Sequence, residues 1–265
     1  MRTTGINSDL CSCAAGIPSA LILYCLAAGD SGVMDDLKNM TLFEVPQPQV
    51  AIKGSDRRFP VRRIYCVGQN YAAHARESGG NPDRDAPFYF MKPADAIVAD
   101  RSSIPYPSRT SDLHHEIELV VAIGNVGENV PVDEAAACIF GYAVGIDLTR
   151  RDLQLKAKKS GRPWDTAKGF DRSAPITAIH PVAEAGHPSS GRIWLEVNGE
   201  LRQEGNLEEM IWSVPEAISE LSTLFALAPG DLVFTGTPSG VGPLARGDRV
   251  TGGVEGVDDI AITIR

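Results

Sequence analysis

The stretch Leu113-His114-His115-Glu116-Ile117-Glu118-Leu119-Val120-Val121 is the clearest strand in the sequence, and it extends to Ile123. Side chains on a strand alternate between faces. Leu113, His115, Ile117, Leu119 and Val121 therefore share one mostly apolar face, and His114, Glu116 and Glu118 share the other. On that second face the Cα atoms of Glu116 and Glu118 should lie about 6.5–7 Å apart. Two adjacent carboxylates repel and raise each other's pKa unless a cation sits between them. A hard divalent ion with oxygen ligands, Mg²⁺ above all, is the natural filler. Alone, the pattern also fits a solvent-facing strand with two ordinary glutamates. It is not H-E-x-x-H, which excludes a zinc protease.

Outward from this strand the chain reads as many strands with few helices. Short strands are predicted at Ile64–Val67, Phe88–Met91 and Leu232–Phe234, and an apolar run Tyr142–Ile146 leads into Asp147. Asn198-Gly199 predicts a hairpin with a type I′ turn. Asn70 is placed to cap a short helix over 71–77, and Gly79–Asp83 reads as a loop. Residues 131–139 look helical, and Ser213-x-x-Glu216 with Pro215 predicts a capping box that opens a helix to about Leu227. There is no regular βα alternation and no G-x-G-x-x-G after a strand. The fold class is therefore α+β and β-rich, rather than a doubly wound nucleotide binder.

The 265 residues are 43% hydrophobic and 22% charged, which suits a globular chain. A net charge of −9 argues against a nucleic-acid partner, which needs a basic face. Five cysteines, an odd number, at 11, 13, 25, 66 and 138 lack metal-site spacing and point to a reducing, cytoplasmic setting rather than a disulfide scaffold. Residues 10–29 carry no charge, but Gly16 and Pro18 interrupt them, so no membrane span is expected. Residues 1–40 read as an extension whose character stays open: a real segment, an export signal, a disordered one or a mis-called start. Residues 41–60 read as a small lead-in and 61–265 as the catalytic domain.

Three further constellations could carry chemistry. Asp147 closes an apolar run, where an acid is costly to bury without a partner, although a helix N-cap is the plainer role. Residues 147–172 hold eight basic and four acidic side chains, a local excess of positive charge in an acidic chain. Lys156, Lys158 and Lys159 read as a solvated helix face, while others of the set, with a metal, suit an anionic substrate. His74 and Glu77 are three apart on the short helix, so the carboxylate can orient the imidazole for water activation. Thr235–Pro243 is a Gly-rich turn without G-K-[ST], and its N–H groups with the Thr237 hydroxyl could grip a carboxylate.

Taken together these segments resemble the fumarylacetoacetate hydrolase family, in particular its acylpyruvate/fumarylpyruvate hydrolase branch. The resemblance rests on Val67–His74, Lys92-Pro93, His114–Leu119 and Gly141–Gln154. It continues through Gly161–Trp164, Lys168–Phe170, Val197–Gln203 and Thr235–Gly242. It implies a mixed β-roll and a homodimer. It implies that Glu116, Glu118 and Asp147 bind Mg²⁺ or Mn²⁺, and that His74 and Glu77 form a water-activating dyad on a segment that orders as a lid. It also implies that Lys168 assists catalysis and that Arg151, Gln154 and Thr237 contact a small 2-oxo acid substrate. Gln69 stands where relatives often have Arg, which puts a substrate role at that position in doubt.

The implied reaction is metal-dependent hydrolysis of a C–C bond in an acylpyruvate, with fumarylpyruvate going to fumarate and pyruvate in aromatic-acid catabolism. Oxaloacetate decarboxylation or isomerisation of a related 2-oxo diacid on the same scaffold is the alternative. A non-catalytic metal-binding module is the third.

Overall fold

A computed structural model describes residues 42–77 and 86–265. The expected extension 1–40, its apolar stretch, Cys11, Cys13, Cys25 and the loop at 79–83 all lie outside the described residues. In chain order the elements are β1 (Gln49–Ile52), β2 (Ser55–Pro60), β3 (Arg63–Gly68), α1 (Ala72–Glu77), β4 (Phe88–Lys92), β5 (Ile97–Ala99) and β6 (Ser103–Ile104). β7 (Leu113–His115), β8 (Ile117–Ile123), β9 (Ile139–Ile146), β10 (Thr149–Arg150), α2 (Arg151–Lys159), α3 (Asp165–Lys168), β11 (Ala174–Ile176) and β12 (His180–Pro181) follow. The chain continues through α4 (Val182–Ala185), β13 (Arg192–Val197), β14 (Glu200–Asn206), α5 (Val214–Leu224), β15 (Asp231–Phe234), β16 (Gly242–Leu244), β17 (Arg249–Val254) and β18 (Asp258–Ile264).

An eight-stranded mixed sheet runs β4-β3-β15-β8-β9-β11-β5, with β12 also on β9, and a five-stranded sheet runs β14-β13-β17-β18-β6. Period-2 alternation fills both faces of the larger sheet. Leu119, Val121, Ile123, Val144 and Ile146 pack with Ile193, Leu195, Val250, Ile260 and Ile262 of the smaller sheet. Val120, Ala122, Ala143, Ile64, Cys66 and Phe234 enter a second cluster on the opposite face. A sheet covered on both sides leaves no solvent-facing side for β8, so the exposed-strand reading of the two glutamates is overturned: they are 5% and 2% exposed. The hairpin β1–β2 lies in the region read as a lead-in, and Val50 and Phe59 join the second cluster.

Several local expectations need correction. The strand at 113–123 is broken at Glu116, because β7 leaves the large sheet to pair with β10 and β16. The helix expected at 131–139 is only a 3₁₀ turn over Ala135–Cys138, since Ile139 already starts the strand β9. α5 opens with the expected capping box but stops at Leu224, where Phe225 becomes extended and packs on Tyr65. The Asn198-Gly199 turn has the expected positive φ at both residues. Cys66 and Cys138 are free and buried. No helix among the described residues is long and apolar enough to cross a membrane.

Candidate active site

The antiparallel pairing of β8 and β9 creates the site. Ile117 lies opposite Ile146, so the next residues outward, Glu116 and Asp147, meet at the end of the ladder, joined by Asp147 N–H donating to Glu116 O at 2.8 Å. Glu118, on the same face as Glu116, completes a group whose carboxylate oxygens lie within 4.8 Å of one another. Asp147 is not a helix cap, because α2 begins only after Arg150.

Three cations balance the acids. Lys168, at the end of α3, is buried and donates to Glu116 Oε2, Asp147 Oδ2 and Thr149 Oγ1, each at 2.7 Å. Arg151 Nη2 donates to Glu116 Oε1 at 2.5 Å, and its Nη1 to Gln154 Oε1. Lys92 Nζ lies 2.7 Å from Asp147 Oδ1 and donates to Leu148 O and Lys168 O. Lys92 had been legible only as part of a matching motif, with no role attached. Its signal is a lysine that closes the apolar strand Phe88–Met91.

The three acids differ electrostatically. Burial works to raise the Glu116 carboxyl, but Lys168 and Arg151 outweigh it and hold it well below the usual range. Burial, then the neighbouring Asp147 and Glu116 carboxylates, push Glu118 well above that range. The Gly236 N–H, donating at 2.7 Å, and the Lys168 charge oppose that shift. Burial also pulls Lys168 down, but Asp147 and Glu116 prevail and keep the ammonium charged.

This arrangement fits a divalent metal. The donors are all hard carboxylate oxygens. Asp147 Oδ1 is buried and accepts no directed hydrogen bond, since the Lys92 ammonium beside it is badly aligned. Glu118 has no ion pair among the described residues. A divalent ion held by Glu116, Glu118 and Asp147 satisfies both groups.

Glu116 and Glu118 floor a cleft that is also lined by His74, Arg151, Gln154, Lys168 and Thr237, with Asp147 fully buried behind them. Glu77 stands outside the lining and holds His74 Nδ1 at 3.2 Å. Its carboxylate is in turn held by the Gly240 N–H. The Gly-rich turn therefore grips the protein's own carboxylates, Glu118 and Glu77. The Thr237 hydroxyl donates to Ile117 O and accepts from Gln203 Nε2, so only one lone pair is left for a ligand. Asn70 does not cap α1. Its amide binds Trp212 and Thr235 backbone groups, which pins the start of α1 to the Gly-rich turn.

Gln203 and Trp164, like Lys92, are legible in the sequence only as the ends of matching segments, with no role attached. Gln203 on β14 is fully buried and links His115 Nδ1, Ile117 N–H, Thr237 Oγ1 and Pro238 O. Burial drives the His115 imidazole down to about 4, so it is neutral. Phe88, Phe90 and Trp164 wall the cleft. The Phe88 ring lies so close to Gly68 that an added Cβ would sit 2.1 Å from it.

A family model described as fumarylacetoacetate (FAA) hydrolase C-terminal matches residues 63–265. A fumarylpyruvate hydrolase of Ralstonia sp is 46% identical over 177 residues, 67% of this chain and 92% of that one. A mitochondrial oxaloacetate tautomerase of Arabidopsis thaliana is 42% identical over 202 residues, 76% of this chain and 90% of that one. The crystal structure of fumarylpyruvate hydrolase from Pseudomonas aeruginosa in complex with Mn²⁺ and pyruvate superposes with a TM-score of 0.83. It is 51% identical, with 84% of this chain and 98% of that chain covered.

Proposed function

The chain belongs to the fumarylacetoacetate hydrolase family of enzymes, and we propose that it hydrolyses the C–C bond of an acylpyruvate, with fumarylpyruvate the best-matched substrate. The observation that carries this reading is the meeting, in one cleft, of a metal-competent acid triad with an imidazole tethered to its own carboxylate. The Pseudomonas structure supports it, because pyruvate is one product of such a cleavage.

Glu116, Glu118 and Asp147 hold Mg²⁺ or Mn²⁺, which when bound supplies Lewis acidity to the oxygens of a 2-oxo acid. Arg151 and Lys168 add fixed positive charge beside the same position, where negative charge develops during cleavage. With Nδ1 of His74 donating to Glu77, Nε2 is the basic nitrogen and takes a proton from water. The resulting hydroxide adds to the carbonyl distal to the carboxylate. The C–C bond then breaks, its electron pair leaves with the three-carbon fragment, and protonation gives pyruvate beside the released acid. Phe88, Phe90 and Trp164 exclude bulk water from the wall of the cleft.

The test follows ultraviolet loss of fumarylpyruvate by the Mg²⁺- or Mn²⁺-loaded protein. Loss should stop in EDTA, and His74→Ala should lower kcat by about 10²–10⁴-fold. The tautomerase relative favours one competitor. Inert fumarylpyruvate, with oxaloacetate converted even by His74→Ala, would replace hydrolysis with enolisation or decarboxylation.

A further inference from the structure

One cation of the cleft has no role in the chemistry above. Arg151, Gln154 and Lys158 lie at i, i+3 and i+7 of α2, so they form one stripe along the helix. All three line the cleft, whereas Lys156 and Lys159, equally basic neighbours, do not. Arg151 is committed to Glu116 and Gln154. Lys158 forms no ion pair among the described residues. Its ammonium stands 5.2 Å from the centroid of the Trp164 ring, and Trp164 meets Phe88 edge-on at 5.4 Å. Lys158 is exposed and sits at the edge of the cleft, where partial burial and the Arg151 and Lys168 charges lower its pKa against the opposing pull of Glu116.

The stripe has a length. Seven residues of helix separate the backbone positions of Arg151 and Lys158 by roughly 10 Å along the axis, and the side chains lean back from there toward the start of the helix. The near end of that span is the acid triad with Arg151 and Lys168, and the far end is an unpaired ammonium. Between them stand aromatic rings, which favour a flat, unsaturated chain over a bulky one.

We infer that Lys158 is a specificity-determining residue that receives a second carboxylate at the distal end of the substrate, so that the cleft selects planar 2-oxo diacids over monoacids. This rests on the proposed acylpyruvate reading and narrows its substrate class. A lysine in the last turn of a helix also complements the helix dipole. That role predicts an effect on stability and none on the choice of substrate.

The experiment compares kcat/KM for fumarylpyruvate and for acetylpyruvate in the Mn²⁺-loaded full chain, its Lys158→Gln variant and its Lys158→Arg variant. In Lys158→Gln the ratio of the two should fall by about three- to tenfold, with the loss in KM and not in kcat. Lys158→Arg should restore most of the ratio. An unchanged ratio overturns the inference, as does a loss confined to kcat.

If the wild-type protein turns over neither compound, the hydrolase reading falls and Lys158 is judged by binding. Calorimetry of the Mn²⁺-loaded protein with 2-oxoadipate against 2-oxohexanoate should give a preference for the diacid that Lys158→Gln abolishes. Equal binding of the two acids by wild type would sink the proposal.

Discussion

Lys92 and Asp147 are both withdrawn from water, and their charged atoms lie 2.7 Å apart. A buried pair contributes little beyond a well-packed apolar replacement, but removal of Lys92 leaves the Asp147 carboxylate with Lys168 alone against two neighbouring acids. Lys92→Met should therefore destabilise the metal-free protein by about 3 kcal/mol in denaturant titrations. Saturating Mn²⁺ should recover part of that loss, because the ion takes over neutralisation of Asp147. Equal destabilisation with and without metal would show that Lys92 acts through packing alone. The three lysines of α2 show why single residues were only half legible. Sequence spacing makes them one solvated group, and all three are indeed exposed; what spacing does not show is that Lys158 alone of the three also lines the cleft.

The break between β7 and β8 is the element on which the site turns, and Gln203 is its staple. Its amide reaches both sides of the break and the Gly-rich turn. Gln203→Leu keeps much of the bulk but leaves His115, the Ile117 N–H and the Pro238 carbonyl without that partner. The expected cost is about 2–4 kcal/mol of stability. Weaker Mn²⁺ binding by calorimetry should accompany it, because Gly236 loses its fixed position against Glu118. Unaltered metal affinity would detach the turn from the acid triad.

At this scale the sequence was informative where periodicity is local. The strand at Ile117–Ile123, the Asn-Gly hairpin and the capping box of α5 follow from alternation, turn chemistry and cap chemistry. The E-x-E pair and the His74–Glu77 spacing were likewise visible. The break at Glu116 was hidden, because alternation runs unchanged through it and only the choice of pairing partner differs on its two sides. Gln203 was visible only as the end of a matching segment, and its linking role was hidden. Nothing near it in the chain marks a polar residue whose partners lie 34 to 88 positions away.

Across the molecule the acid triad links stability to pH and metal. Glu118 has a folded-state pKa above its ordinary 4.5, so its stabilising contribution is full below that value and is lost as pH rises through the raised one. Glu116 is held low, stays ionised above about pH 5 and adds nothing to this slope. The EDTA-treated protein should therefore lose Tm relative to the Mn²⁺-loaded protein as pH rises above the ordinary glutamate range. The Tm increment given by Mn²⁺ should grow over the same interval. A constant increment would mean that Glu118 does not compete for a proton.

The order of the chain adds a temporal consequence. β15 inserts between β3 and β8, and the N–H groups that fix Glu118 and Glu77 belong to Gly236 and Gly240. A growing polypeptide thus carries His74 and all three acids long before it owns the clamps that orient them. The half-synthesised product emerging from a ribosome should be inert toward any 2-oxo acid around it. Chemical competence waits on the arrival of β15 between β3 and β8, which brings the turn that carries both clamps.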